Sequence, residues 1–369
     1  MNTPVKEHQF PCNTCGSDLR YNPGSTTLEC DHCGATQNIT DHANWDQQAI
    51  QEMDFNKALK DQLPEVDMEK LRTVSCENCG AHVEFEINTH AAECPFCATP
   101  VVTDTGIERL IKPKALLPFG LTERDAHKNM ADWLGQLWFA PNGLRQYARK
   151  GRKMQGIYVP YWTYDADTKS SYSGEHGTIY YVTKRVTVMV DGKRQSQTRQ
   201  VPKIRWRTVQ GRVARFFDDI LVLGSKSLPK KYTDALAPWD LSEMEPYRPE
   251  YLAGFRAEGY TVAIDEGYAE ARDYINRMIV RDVKFDIGGD RQRIHTLSTD
   301  VGFVTFKHIL LPIWLAAYKY RGKTYRFVVN GRTGKVQGAR PYSIWKIAFS
   351  AILAILATAA VGYAIAQSQ

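Results

Sequence analysis

Residues 12–33 read CNTCGSDLRYNPGSTTLECDHC and residues 76–97 read CENCGAHVEFEINTHAAECPFC. In both stretches two C-x-x-C pairs stand 14 residues apart: Cys12, Cys15, Cys30 and Cys33, then Cys76, Cys79, Cys94 and Cys97. These are all eight cysteines of the chain. A zinc ion takes four thiolates at about 2.3 Å in a tetrahedron, and two facing C-x-x-C turns supply them with little strain. The spacing therefore predicts two zinc ribbons with one Zn2+ each, structural sites because four thiolates leave no position for water or substrate. Gly16, Gly34 and Gly80 follow three of the pairs, as a turn at positive φ requires, while Ala98 follows the fourth. Hairpin strands are expected at Leu19–Tyr21 and Val83–Ile87. His32, His82 and His90 lie close by and are expected beside the sites rather than in them.

The chain has 369 residues, 43% hydrophobic and 24% charged. Such values exclude a disordered acidic protein and a polytopic membrane protein. One segment stands apart. Ile347 to Ala366 is 20 residues without a charge, followed only by Gln367, Ser368 and Gln369. At 1.5 Å per residue it is long enough to cross a hydrocarbon core of about 30 Å. Arg340 and Lys346 precede it and no charge follows, so the positive-inside rule leaves the bulk of the chain cytoplasmic, with a single pass through the membrane. No secretory signal is expected, because the first 40 residues hold no apolar run.

The fold expected is α+β and multidomain: ribbons at 1–42 and 73–105 around a helical spacer at 43–72, a β-rich region with amphipathic helices, and one C-terminal transmembrane helix at 344–366. The spacer helix is placed at Asp46 to Gln62, ended by Pro64. Region 106–255 opens with a helix from the N-cap Thr122 to Trp138 and continues in strands, with Asp191-Gly192 as a hairpin turn. Region 256–343 repeats that order, a helix from Asp265 to Phe285 and then strands from Ile294 to Val336 with a turn at Asn330-Gly331. Tyr158-Val159-Pro160-Tyr161-Trp162 is echoed by Leu310-Leu311-Pro312-Ile313-Trp314, which suggests duplication. The competing explanation is two unrelated edge strands, where proline's missing N–H is harmless.

Charge divides the chain. Residues 1–105 carry −11 and residues 106–369 carry +17, and Lys184 to Arg215 holds ten Lys/Arg against one acid. Arg199, Lys203, Arg205 and Arg207 form the centre of this run and are the residues expected to meet an anionic partner. An anionic lipid surface, an acidic protein and, less favoured, nucleic acid are the candidate classes. The acidic ribbons are themselves expected to rest on this basic hairpin, of the same chain or of a neighbour. No P-loop, HExxH or G-x-S-x-G is present, and every cysteine is committed to metal. Glu175-His176 and Asp218-Asp219 are the remaining acid/base pairs, and no catalytic residue is assigned to them. Within the apolar segment Ser350, Ala354, Thr358 and Gly362 recur every four residues, a stripe that suits helix pairing.

The paired ribbons resemble an uncharacterised bacterial membrane-anchored family with TFIIB-type zinc ribbons. Further motifs carry the resemblance: Tyr158 to Trp162, Phe216-Phe217-Asp218-Asp219, Asp286 to Asp290, Phe306 to Pro312 and Asn330 to Gly334. Members are often labelled primosomal or helicase-like, which the absence of helicase motifs contradicts. A more distant likeness is to zinc-ribbon membrane adaptors of envelope stress, which act beside a phage-shock-type coat protein and an SPFH-type scaffold. The resemblance implies a non-enzymatic adaptor that recruits protein partners at the membrane, with a membrane-tethered nucleic-acid binder as the alternative.

Overall fold

A computed structural model describes residues 10–39, 50–84, 91–97, 99–102, 106–139, 154–190, 193–320, 323–339 and 343–367. The first ribbon is a three-stranded sheet of β1 (Leu19–Tyr21), β2 (Thr27–Cys30) and β3 (Thr36–Asn38). Between the ribbons the expected helix shrinks. Met53–Asp54 is a strand, β4, and only Phe55–Leu59 is helical, α1, capped by Asp54 on the Lys57 amide. The sheet outcompetes the helix there, because Met53 pairs with Phe306 and Phe55 packs edge-on to the same ring. Residues 43–49 lie outside the described part.

The second ribbon contributes β5 (Met68–Ser75), β6 (His82–Glu84), β7 (Ala91–Glu93) and β8 (Pro100–Val102), followed by β9 (Gly106–Ile111) and β10 (Ala115–Leu116). The strand expected at Val83–Ile87 is seen to Glu84, and its remainder lies outside the described residues, as do His90 and Ala98. Helix α2 (Glu123–Gln136) starts at a capping box, Thr122 and Asp125 satisfying each other's backbone amides. Two very long strands follow, β11 (Gln155–Val190) and β12 (Lys193–Leu223). The pair Val190 with Lys193 leaves only Asp191 and Gly192, both outside the described residues, between them. Then come β13 (Glu245–Pro246), β14 (Arg256–Gly259), α3 (Ile264–Ile287), β15 (Arg291–Tyr320), β16 (Lys323–Asn330), β17 (Val336–Gly338) and α4 (Ile344–Gln367).

Strands from both halves form one sheet with β15 and β11 adjacent at its centre. The sequence echo is a structural pair: Tyr158 lies opposite Pro312 and Pro160 opposite Leu310. The halves exchange equivalent parts. Strand β10 runs parallel to β15 at Ile309 and Leu310, and β14 runs parallel to β11 at Ile157 and Tyr158. The Trp162 indole donates to Val262 O at 2.9 Å, while the Trp314 indole donates to Leu121 O at 3.0 Å. The Gly224 amide donates to Pro160 O and the Gly331 amide to Pro312 O, both at 2.9 Å. Each proline thus sits inside the sheet, not at its edge, at the gap where one neighbouring strand gives way to the next. A missing N–H leaves nothing unpaired there.

Alternation along the central strands divides the core between two faces. Tyr158, Leu310, Trp314, Phe327 and Val329 face the first ribbon and α2, whereas Ile157, Val159, Ile309, Leu311, Ile313 and Val328 face the second ribbon. The ribbons therefore clamp the sheet from opposite sides. Further along β11, α3 covers Trp162, Tyr164, Ala166 and Tyr172 with Ile264, Ala271, Ile275, Ile279, Val283 and Ile287, a stripe at helical spacing. Burying each Ile or Val of that stripe contributes roughly 1.5–3 kcal/mol. Gly267 allows the close approach, since a Cβ there would lie 2.5 Å from the Tyr164 hydroxyl. Beyond Gly177 β15 stops, and β11 with β12 continues alone as a two-stranded arm.

Candidate metal centres and the basic arm

In the first ribbon the Sγ atoms of Cys12 and Cys33 are 3.6 Å apart and those of Cys15 and Cys30 3.5 Å. In the second the pairs are Cys76 with Cys97 at 3.5 Å and Cys79 with Cys94 at 3.6 Å. Within each set the four sulfurs lie within 4.8 Å of one another and none is in a disulfide. Four sulfurs at about 2.3 Å from a common centre have tetrahedral edges of about 3.8 Å, so both cages fit one thiolate-liganded ion each. Gly16, Gly34 and Gly80 have φ of 73°, 71° and 72°, and each donates its amide to the carbonyl of the first cysteine of its turn. The Thr14 amide donates to Cys12 Sγ at 3.4 Å. That bond and the Cys15 amide hold the Cys12 thiol down at about 6. In the second cage the hydrogen bond from Cys79 draws Cys94 down to about 5, and the same contact with burial drives Cys79 well up. Crowded thiols of this kind share protons, and a divalent cation replaces them. His32 is exposed and away from the cages' fourth positions, which thiols already fill.

The ribbons are seated on the body, not on the basic hairpin. Cys12 and Cys30 belong to the core with Tyr158 and Trp314, and Cys76, Cys94 and Cys97 to the core with Ile157 and Leu311. Further bonds tie the first ribbon down, from the Tyr21 amide to Ala253 O and from Gly24 to Phe119 O. The second is stitched in through β6, which pairs with β14.

The register of the arm sorts its side chains. Directly opposed residues share a face in an antiparallel pair. His176 opposes Arg207, Thr178 opposes Arg205, Tyr180 opposes Lys203 and Lys184 opposes Arg199. All four cations singled out from sequence, with Lys184, therefore line one face, and the Arg205 guanidinium lies 5.3 Å from the Tyr180 ring centre. On the reverse face Gly177 opposes Trp206, Ile179 opposes Ile204 and Tyr181 opposes Pro202. Tyr181 is 64% and Ile204 39% exposed. Arg293 covers the Trp206 ring at 4.0 Å.

The candidate acid/base pairs are engaged with other partners in the fold. Glu175 and His176 point to opposite faces of β11: Glu175 meets Arg293 at 3.4 Å and His295 at 3.7 Å, while His176 Nδ1 donates to Ile287 O at 2.9 Å. Asp219, at φ 49°, is an ion-pair partner of Lys307 at 2.7 Å. Lys307, within the Phe306 to Pro312 motif but assigned no role there, also reaches Glu52 at 3.2 Å and buried Asp165 at 3.5 Å. Burial pulls its ammonium down, but the three carboxylates outweigh this and hold it above the ordinary lysine range. Burial raises Asp165 to about 6. Asp165, Asp218 and Asp219 converge closely enough to suggest a cation site, yet the ammonium already supplies the positive charge.

Helix α4 holds a 20-residue stretch, Ile344–Tyr363, long and apolar enough to cross a membrane, and none of it is buried against the rest of the chain. Ser350 and Thr358 hydroxyls donate to backbone carbonyls one turn back, at Lys346 and Ala354, and Gly362 has open space around it. The small-residue stripe is thus unoccupied by any other described element.

No protein-family model matches the chain, and no solved structure matches it. Among curated proteins it is similar to the "Uncharacterized protein YdjG" of Bacillus subtilis (strain 168), 24% identical over 349 residues that cover 92% of each chain.

Proposed function

We propose that this chain is a membrane-anchored zinc-ribbon adaptor without catalytic activity. Its α4 helix crosses a bacterial inner membrane once, the bulk stays in the cytoplasm, and two Zn2+ ions fasten the ribbons onto the sheet. The arm is the recruiting element. One observation carries this reading: beyond Gly177 the arm stands free of the third strand, and the register puts Arg199, Lys203 and Arg205 on one face of it, with Arg207 on the same face at its base. A row of guanidinium and ammonium groups with no carboxylate partner among the described residues suits a row of acids, because such complementarity fixes register and raises encounter rate. The ribbons are poorer candidates, since their inner surfaces are consumed by the sheet. The partner class is an acidic cytoplasmic protein surface. An SPFH-type scaffold or a phage-shock-type coat protein is the kind of partner that the family resemblance implies.

Crosslinking and pull-down from native membranes tests this with the full chain and with Arg199, Lys203, Arg205 and Arg207 all changed to Glu. The partner should be captured by the wild type and lost with the reversed arm, while both chains remain in the membrane fraction. Equal capture by both would overturn the reading. A nucleic acid bound with a steep salt slope, or charge-dependent binding to anionic vesicles alone, would replace it with the rival classes. Removing residues 1–105 is a poor test, because it strips both faces of the sheet.

A further inference from the structure

The turn that follows α2 and the start of α4 are tied together. The Ser343 amide donates to Phe139 O at 2.7 Å, and Lys346 Nζ donates to Trp138 O at 3.1 Å. Trp138 and Phe139 are therefore held within a few ångströms of the point where the apolar stretch begins at Ile344. The side chains grouped there are large, apolar and uncovered: Trp138 is 72% exposed, Ile344 81%, Trp345 86% and Phe139 37%. In water such a cluster is unfavourable, since apolar area of this size is normally buried. Helix α2 buries Ala126, Met130 and Leu134 on the sheet, so the exposed end is not a failure of amphipathic packing but a second, outward surface.

We propose that Trp138, Phe139, Ile344 and Trp345 form a collar that lies in the headgroup and upper acyl region of the bilayer that α4 enters. This rests on the reading of α4 as a membrane span and adds to it that the body sits directly on the membrane, held through α2. Two observations select lipid as the occupant. The patch is continuous with the apolar helix, so whatever solvates residue 347 lies against residue 345 as well. The cluster also combines indole rings with a lysine ammonium, the mixture that the membrane–water boundary favours because rings remain in apolar surroundings while N–H groups and charge reach water and phosphate. A protein partner covering the same patch would have to share it with the bilayer around α4. The consequence is orientation: α2 packs on β16 and β17, so the collar fixes that end of the sheet at the membrane and the arm leaves from the far end of β11.

The test uses the full chain, zinc-loaded, in phosphatidylglycerol/phosphatidylethanolamine vesicles. A ketone-bearing amino acid at a single position takes a nitroxide without disturbing the cysteines. Accessibility to oxygen and to a water-soluble nickel chelate is read at 138, 345, 355 and, in the arm, 181. The expected result is an oxygen-to-nickel ratio at 138 close to that at 345, several-fold above that at 181 and below that at 355. A ratio at 138 equal to that at 181, with 355 still oxygen-rich, would overturn the collar and leave the span intact. A water-like ratio at 355 would overturn the span and the collar together.

Discussion

Lys307→Met is the substitution that the structure weighs most heavily outside the metal sites. The Lys307 side chain is 6% exposed and meets Asp219, Glu52 and Asp165, of which Asp165 is 2% exposed. Methionine fills most of the volume but leaves three carboxylates facing one another without a counter-charge. Removing one partner of a buried ionic group destabilises by about 3–5 kcal/mol, because the remaining charge stays buried and uncompensated. Against a total of roughly 5–15 kcal/mol for a folded domain, that is a large share. The pH dependence gives a second, independent signature. Without the ammonium the native carboxylates take up protons above their unfolded pKa near 4. The folded state then binds more protons than the unfolded one, so stability falls as pH rises through that window. The deficit should therefore be largest near neutrality and smaller at pH 5, and Lys307→Met with Asp165→Asn should recover part of it. Urea unfolding of the full chain in detergent, followed by intrinsic fluorescence at pH 5 and pH 7.5, measures both. A deficit under about 1 kcal/mol, the scale of an exposed pair, or one that does not change with pH, would refute the buried network.

Purified protein should carry two zinc ions, and Cys76→Ser should lower this to one while also weakening the body, since Cys76 shares a core with Leu117 and Ile157; metal near zero in the wild type with intact thiols would refute it. Trimming Ile279, 1% exposed against Tyr164 and its neighbours, to Ala should cost about 2–5 kcal/mol in the same unfolding assay, and a loss below that range would mean that α3 is not the lid of the core. His308 is fully buried, its Nδ1–H donating to Ile111 O at 2.7 Å, and burial lowers it to about 4. Its neutral form is favoured in the fold, so stability is lost as pH falls from about 6.5 to about 4; His308→Gln should flatten that slope relative to wild type, and identical slopes would dismiss the effect. Deleting residues 344–369 should release the chain from membranes, and in intact spheroplasts external protease should leave residues 1–340 uncut; cleavage there would reverse the topology.

Much of this architecture is legible where chemistry is periodic. The cysteine spacing predicts both cages because four soft ligands at tetrahedral distance demand it, and α3 is legible from Ile275, Ile279 and Val283 at four-residue steps. The segregation of the arm was also present as simple parity. Arg199, Lys203, Arg205 and Arg207 are odd-numbered while Pro202, Ile204 and Trp206 are even, which in a strand means opposite faces. Other features have no local signal. Lys307 draws its partners from residues 52, 165 and 219, and only the lone lysine within an apolar strand hinted at buried acids. The spacer helix is shortened for the same reason, since Met53 answers to Phe306, more than two hundred residues away.

The likeness of the two halves bears on why the arm, rather than any other surface, carries the proposed recruitment. The two halves match in detail around the paired prolines: each begins with a short strand lent to the other half, follows with a helix, and returns through a long strand whose tryptophan bonds to the other half's backbone. Such reciprocal exchange makes the halves one folding unit, because neither can complete its edge alone. Where the halves differ, the difference is not needed for that exchange. Ahead of Gly331 the second half closes with β16, of 8 residues, while its counterpart β12, ahead of Gly224, has 31. The end of that additional length, with the end of β11, leaves the core, exposes Tyr181 and Ile204, and carries much of the basic run. A two-stranded ribbon with no sheet on either side and few buried contacts is costly to keep ordered. Its persistence in one half only, with cations sorted to one face, fits an element kept for a partner that supplies the missing contacts.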